Sequence, residues 1–373
     1  MPCLGQRIGG RTMTEVGVIG EQPFGVYVHV PFCRHRCDYC AFATWTDRDH
    51  LQERYLAACR RQIEQSLPEL PPVTSVFVGG GTPSRVDPAL LMDVLSPLPL
   101  AAGAEVTVEC NPDDLTTELA DVYARGGVNR LSIGVQSMVP SVLGALGRHH
   151  DPSNVTRAVD AARHAGLDVN VDLVYGARGE TDGQWADTVA AAIALEPDHV
   201  SAYALTVEAG TPLAAAPDRH PDDDTQADRY LVVTEMLAAA GYDWYEISNW
   251  ARPGHECRHN LLYWSGGEYL AVGCAAHGHR DGVRYWNHRT PERFVDAVEA
   301  GRSPESGSER LSDPERAAEY RQLAIRTRLG VAESEVDQNV VAELAGLVEK
   351  RGDRVVLTAA GRLLANEVAI RLG

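Results

Sequence analysis

The sequence has no long apolar run and no excess of positive charge. No stretch reaches the roughly 18 consecutive apolar residues of a transmembrane helix, and residues 1–21 lack the apolar segment of a secretory signal peptide. The 34 lysines and arginines are outnumbered by 52 aspartates and glutamates, which gives a formal net charge of −18. Such a charge disfavours binding to the phosphate backbone of nucleic acids. We therefore expect a cytoplasmic protein with no nucleic-acid partner and a disordered tail at residues 1–21, in which Met1 and Met13 are both candidate starts.

Cysteines are few and irregularly spaced, with eight in 373 residues. Disulfide frameworks belong to small secreted chains, and structural zinc sites use paired knuckles with a second pair downstream. The nearest later pair here, Cys257 and Cys274, lies roughly 220 residues beyond the first group. That first group is Cys33, Cys37 and Cys40, a C-x3-C-x2-C run directly after an apolar strand. Three thiolates on one loop can ligate an iron–sulfur cluster and leave one iron open for chemistry.

Short β-branched runs alternate with helix-length segments over the first two hundred residues. The predicted strands are 26–30, 75–78, 105–109, 130–135, 168–174 and 199–205, and the predicted helices include 49–65, 154–165 and 182–195. This alternation predicts repeated βαβ units and a parallel sheet, either as an open doubly wound sheet or as a partial barrel. In both architectures the active site lies at the carboxyl ends of the strands.

Polar, glycine or cysteine residues lie at or near five successive strand ends. They are the cysteine loop, the run Gly79-Gly80-Gly81-Thr82-Pro83, Glu109, Gln136 and Asp172. Because the carboxyl ends of parallel strands meet at one edge, we expect a single composite site there.

The pattern changes after about residue 210. Residues 222–240 read as a helix with an acidic first turn, which suits the helix dipole. An aromatic-rich region follows at residues 242–286, and residues 289–373 are rich in Glu and Arg, with a strand at 354–357. The last part resembles a small winged-helix-like domain, but it has no basic recognition helix, which disfavours DNA binding.

Taken together, these motifs resemble the radical S-adenosylmethionine (SAM) superfamily, and within it the oxygen-independent coproporphyrinogen III oxidase branch. The resemblance runs from about Phe24 to the C-terminus and rests on one set of motifs: Tyr27 with the cysteine run, the Gly-Gly-Gly-Thr-Pro turn, Glu109, Gln136, Arg148 and Asp172. The segment His259-Asn-Leu-Leu-Tyr263-Trp264 is similar to the HNxxYW signature associated with haem binding in the haem chaperone subgroup, HemW.

The resemblance implies an α/β fold. It consists of a partial (β/α)6 barrel over residues 22–288 that carries the HNxxYW segment, followed by a smaller, mainly helical winged-helix-like domain over residues 289–373. It also implies three cofactors, each with its own residues. Cys33, Cys37 and Cys40 would ligate a [4Fe–4S] cluster. The expected SAM contacts are Tyr27, Tyr39, Gly80, Gly81, Thr82, Glu109, Gln136, Arg148 and Asp172. The expected haem contacts are His259, Asn260, Tyr263 and Trp264.

Two departures from the oxidases decide between functions. The oxidases extend the motif to C-x3-C-x2-C-x-C and carry a longer region before the barrel, whereas Phe42 stands at the fourth position here. The resemblance therefore implies a haem chaperone that passes haem to an acceptor protein, soluble or membrane-associated, with an electron donor for the cluster. The alternative is a coproporphyrinogen III oxidase of porphyrin biosynthesis, and a third class is a cluster-bearing sensor that never cleaves SAM. The sequence leaves open whether the protein is an enzyme.

Residue chemistry alone also leaves the haem ligand open. His259 can be a packed core histidine whose aromatic neighbours fill a cavity. Imidazole is a standard axial ligand of haem, and aromatic side chains suit a porphyrin face. His255 and Cys257 are alternative ligands a few residues upstream.

Overall fold

Two hydrophobic cores organise residues 23–373, the part of the chain that the computed structural model describes. The tail expected at residues 1–21 lies outside these residues. The larger core surrounds a mixed sheet, and the smaller one belongs to the C-terminal region.

The large sheet contains twelve strands within the described residues. They are β1 Phe24–Val30, β2 Val73–Gly80, β3 Leu100–Cys110, β4 Arg130–Gln136, β5 Asp168–Tyr175, β6 His199–Ala204, β7 Asp243–Glu246, β8 Asn249–Ala251, β9 Glu268–Val272, β10 His277–Arg280, β11 Val283–Asn287 and β12 Glu305–Arg310. All six strands expected from the sequence are present.

The sheet is parallel at its centre and antiparallel at both ends. Strands β1 to β6 pair in chain order, and β9 adds to the free side of β1 in the same direction. An antiparallel extension of β10, β11 and β12 follows β9, and β8 and β7 follow β6. Strands β12 and β7 remain the two edges, so the sheet does not close. The expectation of a partial barrel is confirmed.

Helices surround the barrel strands. They are α1 Gln52–Ser66, α2 Pro88–Leu95, α3 Thr117–Arg125, α4 Pro140–Ala145, α5 Ser153–His164, α6 Asp182–Ala194, α7 Asp223–Ala239, α8 Arg258–Trp264 and α9 Pro291–Glu299. All but α8, which packs against β2 at one end of the barrel, lie outside it. In α1 one face is buried, with Tyr55, Cys59 and Ile63 all inaccessible to solvent. Asp222 caps α7 by accepting a hydrogen bond from the Thr225 amide at 2.8 Å.

The smaller core lies in the C-terminal region. It joins helices to a three-stranded antiparallel sheet in the order β13-β15-β14, all within the described residues. The elements are α10 Asp313–Ala324, β13 Val331–Ala332, α11 Gln338–Glu343, β14 Val348–Arg351, β15 Arg354–Leu357, α12 Ala359–Leu363 and α13 Ala365–Leu372. Strand β15 coincides with the predicted strand 354–357.

The packing divides the chain near residue 311 and not at residue 289. Helix α9 buries Phe294 in the larger core, and β12 pairs with β11 in the large sheet. The abundant charges of α9 lie on its outer face, and composition alone hides the apolar stripe that attaches it to the barrel.

The inner face of the barrel is mainly polar, because most of the inward-facing positions of the central strands carry polar side chains. Valines and leucines at the intervening positions face the helices. The buried inward-facing residues include Ser75, Glu105, Thr107, Arg130, Ser132, Asn170, His199 and Ser201. No helix among residues 23–373 has the length and apolarity needed to cross a bilayer.

We expect Tyr55→Phe to lower the free energy of unfolding by about 1–3 kcal/mol. The Tyr55 hydroxyl donates to the His29 carbonyl at 2.7 Å and accepts from the Cys274 amide at 2.8 Å, so its loss leaves two buried backbone groups unpaired. Urea unfolding measures the change. The control is Tyr320→Phe on α10, where the side chain is partly exposed and the expected cost is under about 0.5 kcal/mol. Equal losses in the two variants would contradict the assignment.

Candidate functional site

A cavity of about 720 Å³ opens at the carboxyl ends of the barrel strands. It collects all three cluster cysteines and eight of the nine residues expected to contact SAM. These are Cys33, Cys37, Cys40, Tyr39, Gly80, Gly81, Thr82, Glu109, Gln136, Arg148 and Asp172. The prediction of one composite site at this edge therefore agrees with the geometry.

The cysteine loop is held by backbone hydrogen bonds at its base. The Cys33 amide donates to the Trp45 carbonyl at 3.0 Å, and the Trp45 amide donates to the Pro31 carbonyl at 2.8 Å. Thr82 Oγ1 donates to Cys33 Sγ at 3.6 Å, and Arg148 Nη1 donates to Cys37 Sγ at 3.8 Å. Burial raises the pKa of the Cys33 and Cys40 thiols. Because iron binds thiolates, cluster assembly must displace these protons.

Two glycines bring the second strand end close to the cysteine loop. Gly80 has a φ of +109°, and a Cβ there would lie 2.4 Å from the His29 ring. A Cβ on Gly81 would lie 2.8 Å from the Val30 carbonyl oxygen. Any other residue would force this turn away from β1, so the glycines shape the cavity floor.

Two carboxylates face the cavity from adjacent regions of the sheet. Glu109 accepts a hydrogen bond from the Gly80 amide at 3.1 Å, and burial, with Asp172 nearby, raises the pKa of Glu109 to about 8. Asp172 accepts from Ser132 Oγ and from Asn170 Nδ2, each at 2.8 Å. Burial raises the pKa of Asp172, and these hydrogen bonds oppose that rise. The pair can accept hydrogen bonds from a ligand that carries an amino group or hydroxyls.

Arg148 supplies a positive charge to the same cavity. Its Nη2 donates to the Gly134 carbonyl at 2.9 Å, and its Nε donates to His150 Nδ1 at 3.1 Å. Burial, followed by the charge of Arg148, lowers the pKa of His150 to about 4. Gln136 nearby has a φ of +62°, which is uncommon for a residue other than glycine and typical of functional sites.

Tyr27 is the exception among the expected SAM contacts, because it does not line the cavity. Its hydroxyl lies 3.1 Å from His29 Nδ1, deeper in the barrel, and its ring packs against Ala271, Ala276 and Tyr285. The strand's alternation points Tyr27 inward, but it stands three residues before the strand end. In this arrangement the Tyr27 side chain therefore does not reach the cavity.

Helix α8 carries the HNxxYW segment and closes the opposite end of the barrel. Ser75, which hydrogen-bonds to His259, pairs with Gly25, five residues before the Val30–Gly80 pair at the cavity. At about 3.3 Å per residue, the two levels are separated by roughly 17 Å. Glu105 holds the start of α8, accepting from the amides of Arg258 and His259, each at 3.0 Å.

His259 is a satisfied core histidine in this arrangement. Its Nδ1 lies 2.9 Å from Ser75 Oγ and its Nε2 lies 2.8 Å from the Tyr263 hydroxyl. The ring stacks on Phe77, with centroids 5.6 Å apart. Burial lowers the pKa of His259 to about 3, so the imidazole is neutral. Iron ligation by His259 would require one of its two hydrogen bonds to break.

The other residues of the segment point in different directions. Asn260 Nδ2 donates to the Tyr245 hydroxyl and to Glu246 Oε1, each at 3.2 Å. The Tyr263 ring packs against Tyr269, with centroids 4.7 Å apart. The Trp264 side chain is half-buried, and its Nε1 has no hydrogen-bond partner among residues 23–373.

The two alternative haem ligands are also engaged. His255 Nδ1 lies 3.0 Å from Asp168 Oδ2. Cys257 Sγ donates to Glu105 Oε1 at 3.4 Å, and burial raises the pKa of Cys257 to about 12. The thiolate form of Cys257 is therefore strongly disfavoured.

Sequence reasoning missed the polar residues deeper in the barrel and at the cavity mouth. Ser132, Tyr203 and His150 all line the cavity. Ser132 and Tyr203 lie in alternate, inward-facing positions of β4 and β6, so polar residues at every second strand position were the signal. His150 follows Arg148 in a loop and has no such signal.

Comparison with known proteins agrees with this geometry. A family model of the radical SAM superfamily matches residues 27–192. The heme chaperone HemW of Mycobacterium tuberculosis is 43% identical over 93% of this chain and 94% of that protein. HemW of Bacillus subtilis is 31% identical over 92% of this chain and 97% of that protein.

The chain belongs to the HemW family. Its fold is also that of a more distant relative, the radical SAM enzyme coproporphyrinogen III oxidase (HemN) of Escherichia coli. That structure aligns with a TM-score of 0.82 over 94% of this chain and 90% of that chain, at 23% identity. The resemblance to the coproporphyrinogen oxidase branch is thus confirmed at the level of fold.

Membership of the radical SAM superfamily implies a [4Fe–4S] cluster and SAM, and the cavity residues fit both. Three cysteines converge on one wall, with donors already directed at two of the sulfur atoms. The glycine turn, the carboxylates and Arg148 surround the adjacent space with groups that suit an amino acid and a ribose.

We expect Glu109→Gln to stabilise the protein without cofactors by an amount that grows from pH 5 to pH 8. The Glu109 carboxyl has its ordinary pKa of about 4.5 in the unfolded chain and a pKa of about 8 in the fold, so the unfolded state binds fewer protons between these values. The free energy of unfolding of the wild type therefore falls by at most about 1.4 kcal/mol per pH unit as the pH rises. Glutamine does not titrate, so the variant lacks this contribution. Urea unfolding of both proteins across this range gives the difference, and a constant difference would contradict the buried carboxyl.

We expect Cys37→Ala to abolish stable assembly of the cluster. The loop has only three cysteines, and all three are expected to ligate iron, so the variant has too few ligands. Anaerobic reconstitution followed by iron and sulfide analysis measures the loss. The matched control is Cys110→Ala, since Cys110 lines the same cavity and is 4% exposed but lies on β3 outside the loop. Wild-type iron content in Cys37→Ala would remove that cysteine from the ligand set.

Proposed function

We propose that this protein is a haem chaperone that binds haem and passes it to an acceptor protein. The observation that carries the proposal is the 43% identity to heme chaperone HemW of Mycobacterium tuberculosis over nearly the full length of both chains. The proposal includes a cytoplasmic location, an electron donor for the cluster and an acceptor that is either soluble or membrane-associated.

The cavity would hold the redox cofactors of this function. Cys33, Cys37 and Cys40 would ligate three irons, and SAM would occupy the open iron. A reduced cluster with SAM supplies one-electron chemistry when both are bound. The side chains bind and orient: Glu109 and Asp172 are acceptors for the amino group and hydroxyls, and Arg148 is a donor for the carboxylate.

The fourth position of the cysteine motif supports the chaperone over the oxidase. Phe42 stands there and is 64% exposed at the cavity mouth. It offers no ligand or hydrogen-bonding group. The similarity to coproporphyrinogen III oxidase, at 23% identity, indicates a shared fold and does not indicate a shared reaction.

Haem binding through His259 would require helix α8 to shift. Nε2 and Nδ1 are the two possible iron ligands of the ring, and both have partners within the barrel. The histidine is 1% exposed, so a porphyrin cannot reach it in this arrangement. Helix α8 has only seven residues, and its first turn is held by the Glu105 carboxylate. A helix this short depends on tertiary contacts, which makes its displacement feasible.

The test is a haem titration of the anaerobically reconstituted protein and of His259→Ala, followed by absorbance. We expect the variant to lose the spectrum of an imidazole-ligated haem and to bind at least tenfold more weakly. The control is His277→Ala, because His277 is exposed on β10 away from the segment. Identical spectra and affinities for wild type and His259→Ala would exclude this ligand. Absence of haem binding by the wild type would overturn the proposed function.

A further inference from the structure

A continuous chain of buried hydrogen bonds connects the cavity to helix α8. Asn170 Nδ2 donates to Asp172 Oδ1 at 2.8 Å, and Asn170 Oδ1 lies 2.6 Å from His199 Nδ1. His199 Nε2 lies 2.8 Å from the Tyr245 hydroxyl, which accepts from Asn260 Nδ2 at 3.2 Å. Asp172 lines the cavity, and Asn260 follows His259 in the HNxxYW segment. Three residues therefore span the barrel between the two candidate sites.

Chemistry fixes the direction of every bond in this chain. A carboxylate only accepts, so Asn170 must donate through its NH₂ and present its carbonyl to His199. His199 then carries its proton on Nδ1, and its Nε2 accepts from the Tyr245 hydroxyl. Burial lowers the pKa of His199 well below its usual range, which keeps the ring neutral, and the two hydrogen-bond partners select this tautomer. All four donors thus point from α8 towards Asp172, and bonds aligned in this way strengthen one another.

The two ends of the chain make opposite demands. A ligand that donates hydrogen bonds to Asp172 needs an ionised, fixed carboxylate, which Asn170 and Ser132 stabilise by donating to its two oxygens. Ligation of iron by His259 needs α8 to move, because both ring nitrogens are engaged. Movement of α8 withdraws Asn260, so the Tyr245 hydroxyl loses the hydrogen bond that it accepts from Asn260 Nδ2. The remaining bonds through His199 are then no longer reinforced from the α8 end.

We propose that His199 is a positioning residue that couples the cavity to helix α8, so that SAM and haem each weaken the binding of the other. The proposal rests on the proposed function and adds its regulation. Bound SAM favours the arrangement in which Asp172 and Asn260 are joined through His199, and bound haem favours the arrangement in which they are separated. By thermodynamic linkage the two ligands change each other's dissociation constant by the same factor.

The experiment measures this factor on the full-length protein with its reconstituted cluster. The dissociation constant of SAM is measured with and without saturating haem, and that of haem with and without saturating SAM. We expect at least a fivefold weakening in both directions for the wild type, the lower end of typical coupling. In Tyr245→Phe, which removes one hydroxyl from the chain, the factor should fall to within about twofold of unity.

Three further variants separate the chain from general effects. His199→Leu breaks the chain at its centre and replaces Tyr245→Phe if that variant fails to fold. His199→Gln retains a hydrogen-bond donor and an acceptor, so it should keep more of the coupling than Tyr245→Phe or His199→Leu. Thr188→Val removes a buried hydroxyl that bonds Ser137 outside the barrel interior, and it should keep the wild-type factor.

The outcomes distinguish this proposal from the proposed function. If the wild type binds haem but SAM and haem leave each other's dissociation constant unchanged, or lower it, the proposed coupling is overturned. The chaperone proposal would still stand. An unchanged factor in both Tyr245→Phe and His199→Leu removes the chain as its carrier. A wild type that binds no haem overturns the proposed function itself.

Discussion

A buried carboxylate or imidazole stays inside a barrel only when its donors and acceptors find partners, and this constraint governs the structure. Most inward-facing residues of β2 to β6 are polar, and several of them form hydrogen bonds to one another across strands. Ser132 and Asn170 hold Asp172, and His199 joins Asn170 to Tyr245. The outer face of the same strands is apolar and packs against the helices. The sheet therefore has an apolar outer core and a hydrogen-bonded interior, which opens to a cavity at its carboxyl end and is closed by helix α8 at its amino end.

The two ends differ in how they are closed. At the carboxyl ends the loops leave an open cavity with three cysteines on its wall, which suits a cluster and a small polar cofactor. At the amino ends helix α8 fills the opening, and Glu105 and Ser75 hold His259 in place. A ligand at the first end needs no rearrangement, whereas a porphyrin at the second must displace a helix. In the proposed function, this asymmetry makes haem binding depend on a conformational change in one short helix.

Local patterns in the sequence predicted much of this architecture. β-branched runs and helical periodicity are local signals, so the six barrel strands and α1, α5 and α6 were found within a few residues. The cavity residues followed because parallel strands end at one edge. The environment of His259 could not be predicted, because Ser75 and Glu105 are 184 and 154 residues away in the chain. The domain division was misplaced because the apolar stripe of α9, with Phe294, is hidden among charges. Tyr27 was expected in the site from the family resemblance, and the structure places its side chain deeper in the barrel.

The central claim is that haem binds at the α8 end of the barrel and not at the cavity mouth. Hydrogen–deuterium exchange of the cluster-bearing protein, free and loaded with haem, tests it most directly. The account predicts altered exchange in peptides that cover residues 257–265, with little change in the cysteine loop at residues 33–45. Altered exchange confined to the cysteine loop, with residues 257–265 unchanged at full haem occupancy, would contradict it.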